Sequence, residues 1–280
     1  MTSPSRSRLS SRLRFGDART RTLALCAVPV AGLLAVGALA PLPFALAEPG
    51  ITEDVLGESG GKPVITVERP KGDEAKRDRG DDGELLMTTI GVTTPQETVR
   101  LGDVVSGWFA TDRAVMPREA VYPVGDDPDE IERHNEKEMR TSQKDAVRAA
   151  LRQLRLSPGD VDVSLRLDDV GGPSAGLLFA LGVIDKIDGD GRGGHLTGGR
   201  TIAGTGTIDA SGKVGPVGGV PLKTQAARAD GASVFLVPKR ECEDAQAERP
   251  DGLRLIPVTT LDGALDALKA LREGGSVPRC

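Results

Sequence analysis

Apolar positions along this chain fall into three regimes. From Thr22 to Ala47 the run TLALCAVPVAGLLAVGALAPLPFALA contains no charged residue, long enough for a helix to cross a bilayer. Between 48 and 160 short apolar stretches alternate with long charged ones. Pro63 to Val67 reads as a short strand, and ERPKGDEAKRDRGDDGE (68–84) is nearly all charge, Gly and Pro. Such a segment cannot offset its own ordering entropy, and its interspersed signs suit a solvated loop better than a binding tail. Leu85 to Val92 has strand composition, and Thr94-Pro95 opens an amphipathic stretch to Phe109. Asp127-Pro128 then starts a charged helix running to about Leu154, because Asp caps and Pro fits the first turn.

From Val161 the pattern changes again. VDVSLRL alternates as a half-buried strand does, and a strand ending in Asp168-Asp169-Val170 leads through GGPSAG into LLFALGVIDKI, apolar nearly all round and so a buried helix. Twelve glycines lie between Gly189 and Gly219, too dense for helices and suited to tight turns and close backbone approach. Beyond them helix, strand (Ser233 to Val237), short helix, strand (Leu253 to Val258) and amphipathic helix (Leu261 to Leu271) alternate, an α/β order. The expected class is therefore α/β (α+β). Its parts are a basic N-terminus (1–21), an apolar segment (22–47), a strand with a charged loop (48–84), a small mixed region (85–160) and a C-terminal domain (161–275).

Charge sharpens the picture at the N-terminus. Six arginines against Asp17 precede the apolar run, whereas the remaining chain carries 30 basic and 40 acidic residues. Arginines stay in the cytoplasm, which puts everything from Glu48 onward outside a single-pass anchor in the cell membrane. Ala45-Leu46-Ala47 is also a small-x-small site of the kind signal peptidase cuts, and cleavage after Ala47 would release a secreted protein. The run exceeds the usual signal length, which favours the anchor.

Composition excludes other chemistry. Aromatics make up 2% and the net charge is −5, so neither stacking platform nor phosphate-binding surface is expected and no nucleic acid is a partner. Two histidines and three dispersed cysteines are too few for a metal centre, and no cofactor is implied. Cys242 and Cys280 either pair or stay reduced. His134, among Glu132, Arg133, Glu136 and Lys137, belongs on a solvated face, and His195 in a loop. Gly212-Lys213 is followed by Val214, with Thr207 five places before Gly212. A phosphate loop needs Ser or Thr after Lys and Gly at that upstream place, so this is a hairpin turn and no nucleotide is expected.

Chemistry concentrates at two places. Ser174 in GGPSAG falls near a helix start, where unpaired N–H groups and the dipole could hold an oxyanion; the same position suits an ordinary cap. Gly172 and Pro173 before it, and Ala175 and Gly176 after it, leave room for substrate backbone. Lys223 follows Gly218-Gly219 and opens a helix of small residues. Desolvation there would lower its pKa enough for a general base, although a surface lysine on an amphipathic helix gives the same pattern.

Together GGPSAG, Leu196-Thr197-Gly198-Gly199 and GTGTIDASGKVGPVGGVPLK resemble the proteolytic domain of Lon proteases across about residues 161–272. The resemblance implies a Lon proteolytic-domain-like fold and serine endopeptidase activity on polypeptides. It makes Ser174 the nucleophile and Lys223 the base, with Thr197 the hydroxyl that orients the lysine. Lon-type domains often form rings, so homo-oligomerisation is a further expectation. Gly171 stands where Lon enzymes usually have an acid, and Gly198-Gly199 where they tend to have Gly-Glu. Both features, with Met87-Thr88-Thr89, Met116-Pro117-Arg118-Glu119 and Val121-Tyr122-Pro123, resemble an extracytoplasmic, membrane-anchored Lon-like branch. That branch often carries a PDZ domain, for which the interval from Leu154 to Asp168 has no room. No ATPase sequence accompanies the domain here, so an ATP-independent enzyme is expected. The competing reading is a catalytically silent, membrane-tethered binding module on the same fold.

Overall fold

The computed structural model describes residues 18–68, 83–167 and 171–280. Most of the arginine-rich start, most of the charged loop and the stretch Asp168-Asp169-Val170 lie outside the described residues. The chain runs α1 (Ala18–Leu39), β1 (Phe44–Asp54), β2 (Glu58–Ser59), β3 (Lys62–Pro63), β4 (Ile65–Glu68), β5 (Leu85–Val92), α2 (Leu101–Phe109), β6 (Ala114–Pro117) and α3 (Arg118–Val121). There follow α4 (Pro128–Gln153), β7 (Asp162–Leu165), α5 (Gly176–Ile187), β8 (Ile202–Gly204), β9 (Thr207–Ile208) and β10 (Val214–Gly215). The last elements are α6 (Val220–Ala229), β11 (Val234–Pro238), α7 (Cys242–Ala247), β12 (Arg254–Val258) and α8 (Leu261–Arg272).

A six-stranded sheet in the order β12-β11-β8-β5-β1-β6 organises the molecule. β12, β11, β8 and β5 are mutually parallel, and β1 joins antiparallel to both β5 and β6. Buried parallel strands need helices on both faces, and alternate side chains meet that need. Leu85, Met87, Ile202, Leu236 and Ile256 enter one core with α4, α5 and α8. Leu86, Ala203, Phe235, Val237 and Leu255 enter a second core with residues of α6 and α7. The expected mixed α/β class is what forms. Its sheet runs across position 160, because β5 of the 85–160 region pairs with β8 of the 161–275 region.

Local signals explain α4 and α5. Asp127 accepts the N–H groups of Asp129 and Glu130 at 2.9 and 3.4 Å, capping α4, and Met139, Ser142, Ala146, Ala149 and Ala150 form its buried stripe. α5 is buried at nearly every position. It lies between the sheet and α4, which leaves its apolar residues no solvent face.

The uncharged run 22–47 divides in two. α1 ends at Leu39, Pro41 and Pro43 break the helix, and Phe44 to Ala47 begin β1, paired with Pro117 to Ala114 of β6. Ala45 and Ala47 are buried in that pairing. The apolar helical span is Arg21–Leu39, none of it covered by the rest of the protein. By length and composition it can cross a membrane or serve as a signal sequence.

Two further features close the fold. Cys242 and Cys280 are disulfide-bonded, with Cα atoms 5.2 Å apart, so of the alternatives left open by sequence the pair forms. Cys26 on α1 is a free, exposed thiol. Asp209 to Lys213 is a hairpin turn between β9 and β10, its Asp209 carboxylate accepting the N–H groups of Ser211 and Lys213.

Phe179 of α5 is fully buried between the sheet and α4. Phe179→Ala is expected to cost about 3–5 kcal/mol, read as a lowered urea midpoint in equilibrium unfolding.

Candidate active site

Two helices on opposite faces of the sheet begin near the carboxyl end of β8, the kind of place where open α/β sheets hold ligands. One contributes Ser174. Gly171 lies so close to α4 that a Cβ there would come within 2.8 Å of Asn135 Cβ. Gly172 has φ +89 and donates its N–H to the Asn135 carbonyl at 3.4 Å. The Ser142 hydroxyl donates to the Pro173 carbonyl at 3.0 Å. α4 thus holds the segment before Ser174 at two points.

Ser174 is half-buried. It stands one residue before the N-cap of α5, which is Ala175, and no side chain caps that helix. The ordinary capping role is therefore not the one Ser174 plays. Its carbonyl accepts the Gly206 N–H at 2.8 Å and the Thr205 hydroxyl at 3.2 Å.

The other helix contributes Lys223. Gly219 precedes α6 in the left-handed region at φ +67, and a Cβ there would meet Ile90 Cγ2 at 2.8 Å. Only glycine satisfies both conditions, and it brings the first turn of α6 down onto β5. Lys223 is 3% exposed, and its Nζ donates to Thr205 Oγ1 at 3.2 Å. Burial pushes its pKa down from 10.5 to about 8.

Thr205 is the residue that sequence reasoning missed. Fully buried just past β8, it touches the lysine amine with its oxygen and the Ser174 carbonyl with its proton. Gly204 and Gly206 flank it. A Cβ on Gly204 would lie 2.9 Å from Leu236 Cβ, and Gly206 has φ +149. The Gly-Thr-Gly run was the available signal: two glycines let neighbouring chains close on one hydroxyl. Thr88 of β5 adds a second buried hydroxyl, donating to the Gly204 carbonyl at 3.2 Å.

Thr197 does not orient the lysine. Its Oγ1 is buried with no hydrogen-bond partner among the described residues, pressed against Gly83. Its neighbour Leu196 donates to Asp185 at 2.6 Å. Asp185 is nine residues past the first residue of α5, about 13 Å along the helix from the Ser174 end. His195, 2.6 Å from the same carboxylate through Nδ1, sits there too, as a loop residue tied to α5. His134 is half-buried on α4.

The backbone groups on either side of Ser174 differ in what they bind. Pro173 has no N–H, Gly172 donates to Asn135, and Gly176 donates to the Pro173 carbonyl at 3.3 Å. Leu177 donates to Gly206. Among the described residues the N–H groups of Ser174 and Ala175 have no acceptor, and they flank the Ser174 side chain. A groove of about 1130 Å³ begins at Gly171 and runs between α4 (Asn135, Met139, Gln143) and the end of β7 (Leu165, Leu167). Its lining is both apolar and polar.

Residues 168–270 match the family model of the Lon protease (S16) C-terminal proteolytic domain. Lon protease 2 of Bacillus subtilis is 28% identical over 191 residues, 67% of this chain and 31% of that protein. The Lon protease of Azospirillum brasilense is 36% identical over 98 residues, 34% of this chain and 11% of the relative. The archaeal Lon protease of Archaeoglobus fulgidus is 32% identical over 101 residues, 35% and 15% of the two chains. The chain thus spans about a third or less of the length of these curated relatives. Fold and site together define an α/β protein in which one threonine hydroxyl joins a buried lysine to the backbone of a serine that precedes a helix. This chain carries a Lon-type (S16) proteolytic domain.

Lys223 also sets a stability test. Folded, it loses its proton near pH 8; unfolded, near 10.5. Between those values the unfolded state binds more protons, so stability rises with pH across the window, by about 3 kcal/mol in all. Below pH 8 the folded state carries the full cost of a buried charge. Lys223→Met should therefore be more stable than the parent at pH 7, with the difference narrowing toward pH 10.5. Parallel urea titrations at several pH values check this, and equal pH slopes for the two proteins would contradict it.

Proposed function

We propose that the chain is a membrane-anchored serine endopeptidase that hydrolyses peptide bonds with Ser174 as nucleophile and Lys223 as general base. The observation that carries the reading is Thr205, whose one hydroxyl contacts the desolvated Lys223 amine and the backbone of Ser174. A lysine accepts a proton only when neutral, and burial keeps a workable fraction neutral near pH 8.

In the proposed reaction Lys223 takes the Ser174 hydroxyl proton as Oγ attacks the scissile carbonyl carbon. The N–H groups of Ser174 and Ala175 then hold the negative oxygen of the tetrahedral species. Lys223 passes its proton to the departing amine, and the C–N bond breaks to leave an ester on Ser174. Water, deprotonated by the same lysine, attacks that ester and frees the acid. Thr205 keeps the amine pointed at Ser174 without touching substrate. The groove between α4 and β7 is the natural path for an extended polypeptide. We assign no nucleotide step to this chain, which accordingly acts on substrates already flexible.

α1 serves as the anchor in this reading, with its preceding arginines inside and the proteolytic domain outside. The Cys242–Cys280 disulfide supports that placement, since such bonds persist in oxidising compartments. Cleavage after Ala47 would strip β1 of the four residues that pair with β6, so the retained anchor is preferred to the secreted form. The extracytoplasmic Lon-like branch suggested by Met87-Thr88-Thr89 and Val121-Tyr122-Pro123 belongs to the same reading.

Ser174→Ala and Lys223→Met should each lower peptidase turnover by about 1,000-fold or more, and a serine-directed acylating probe should label Ser174 alone. Undiminished activity in Lys223→Met would overturn the assignment. Thr205→Val should retain the fold and lose about 10- to 100-fold in kcat, with a changed pH profile. Activity of the parent should climb with pH through about 8, the value set by Lys223, as the base loses its proton. A rate independent of pH between 6 and 9 would exclude a lysine base.

A further inference from the structure

α2 presents an apolar surface that neither the fold nor the proposed reaction uses. Leu101, Val105, Trp108 and Phe109 are 44, 42, 70 and 87% exposed. Their spacing of four, three and one places them side by side on one helical face. The opposite assignment is fixed by packing: Val104 and Gly107 are the buried residues of α2. A Cβ on Gly107 would lie 3.0 Å from Val115 and 3.2 Å from Leu46, so the helix sits close on β1 and β6 and cannot roll to hide its aromatics. Asp103 sits away from the stripe and is turned back to accept the Arg100 N–H at 2.9 Å.

What lies opposite this face follows from α1. α1 comes close to α2 without being covered by it, and Leu42, three residues past the end of α1, donates its N–H to the Val99 carbonyl at 2.9 Å, two residues before α2 begins. Three extended residues span at most about 10 Å. The polar layer on each side of a bilayer is about 5–8 Å thick. A chain that leaves the hydrocarbon at Leu39 thus delivers α2 to the lipid headgroup level, and Trp beside Phe is the pairing that partitions there.

We infer that α2 is an in-plane membrane helix: its Leu101, Val105, Trp108 and Phe109 face inserts into the outer surface of the same bilayer that α1 crosses. The inference rests on the anchor reading above. It gives the proteolytic domain a second point of attachment, which restricts its rotation about α1 and sets one side of the molecule permanently toward lipid. The β6 edge of the sheet, against which α2 packs, is then the membrane-proximal edge.

Trp108 is the single tryptophan of the chain, so its emission reports on α2 alone. The full chain is reconstituted into vesicles of phosphatidylethanolamine and phosphatidylglycerol, with and without lipids brominated on their acyl chains, and flotation is measured in parallel. The expected result is a blue-shifted emission that brominated lipid quenches and aqueous iodide does not. Val105→Asp, which places a charge within the stripe at an exposed position, should reverse both effects while the protein still floats. Quenching by iodide but not by brominated lipid, in protein that floats, overturns the docking and leaves the anchor standing. A blue-shifted emission that neither agent quenches means that protein covers the face, and it overturns the proposal in favour of a second copy. Protein that stays at the bottom of the gradient overturns the anchor reading and the docking with it.

Discussion

The contact on which the proposed site depends is the Thr205 hydroxyl, which accepts from the buried Lys223 amine and donates to the Ser174 carbonyl. In water Lys223 would be protonated at every physiological pH. It is brought near neutrality by burial under the first turn of α6, on one face of the sheet, while Ser174 arrives from the other face. Lys223 and the Ser174 segment reach Thr205 from the two faces. The site therefore lies where the two layers meet, at the end of β8, with Thr205 filling the gap between them. One hydroxyl serves both sides since it can accept from nitrogen and donate to carbonyl at once.

Glycine makes that meeting possible. Gly219 lets α6 descend onto Ile90, Gly204 lets β8 close on Leu236, and Gly171 lets the serine segment press against Asn135. Each contact lies at a distance a side chain would forbid. The same segment is further held by Ser142 of α4, so a helix distant in sequence fixes the backbone that carries the proposed nucleophile. Rigidity of this kind matters for a nucleophile, since its attack geometry depends on backbone that does not move.

At the other end of the molecule an apolar helical span, Arg21–Leu39, leads into the sheet. Two prolines stop α1 and turn the chain directly into the sheet through β1, so α1 and the rest of the chain are joined by a short, ordered connection. Ala45 and Ala47, small as a peptidase site requires, are small here because β1 packs between β5 and β6 with covered faces. One sequence feature thus has two physical explanations, and the paired strand accounts for it without cleavage.

Much of this was readable from the chain alone. Alternation gave β7, Asp127-Pro128 gave the start of α4, and an all-apolar run gave α5, because these elements are specified by local propensity and by burial on one face or on all. Ser174 and Lys223 stood out through their flanking small residues. Thr197 and Thr205 could not be told apart in the same way: both are threonines in glycine-rich stretches, and nothing local says which stretch folds back to the lysine. That choice is made by the parallel pairing of β8 with β5 and β11, which carries Thr205 to α6 and leaves Thr197 beside Asp185 at the far end of α5. The covalent pairing of Cys242 with Cys280 and the membership of Phe44 to Ala47 in a strand were settled likewise by long-range contacts. Sequence determined which segments form and what chemistry they carry; tertiary structure decided which hydroxyl reaches the amine, because proximity between distant segments is a property of the sheet's order and not of any stretch within it.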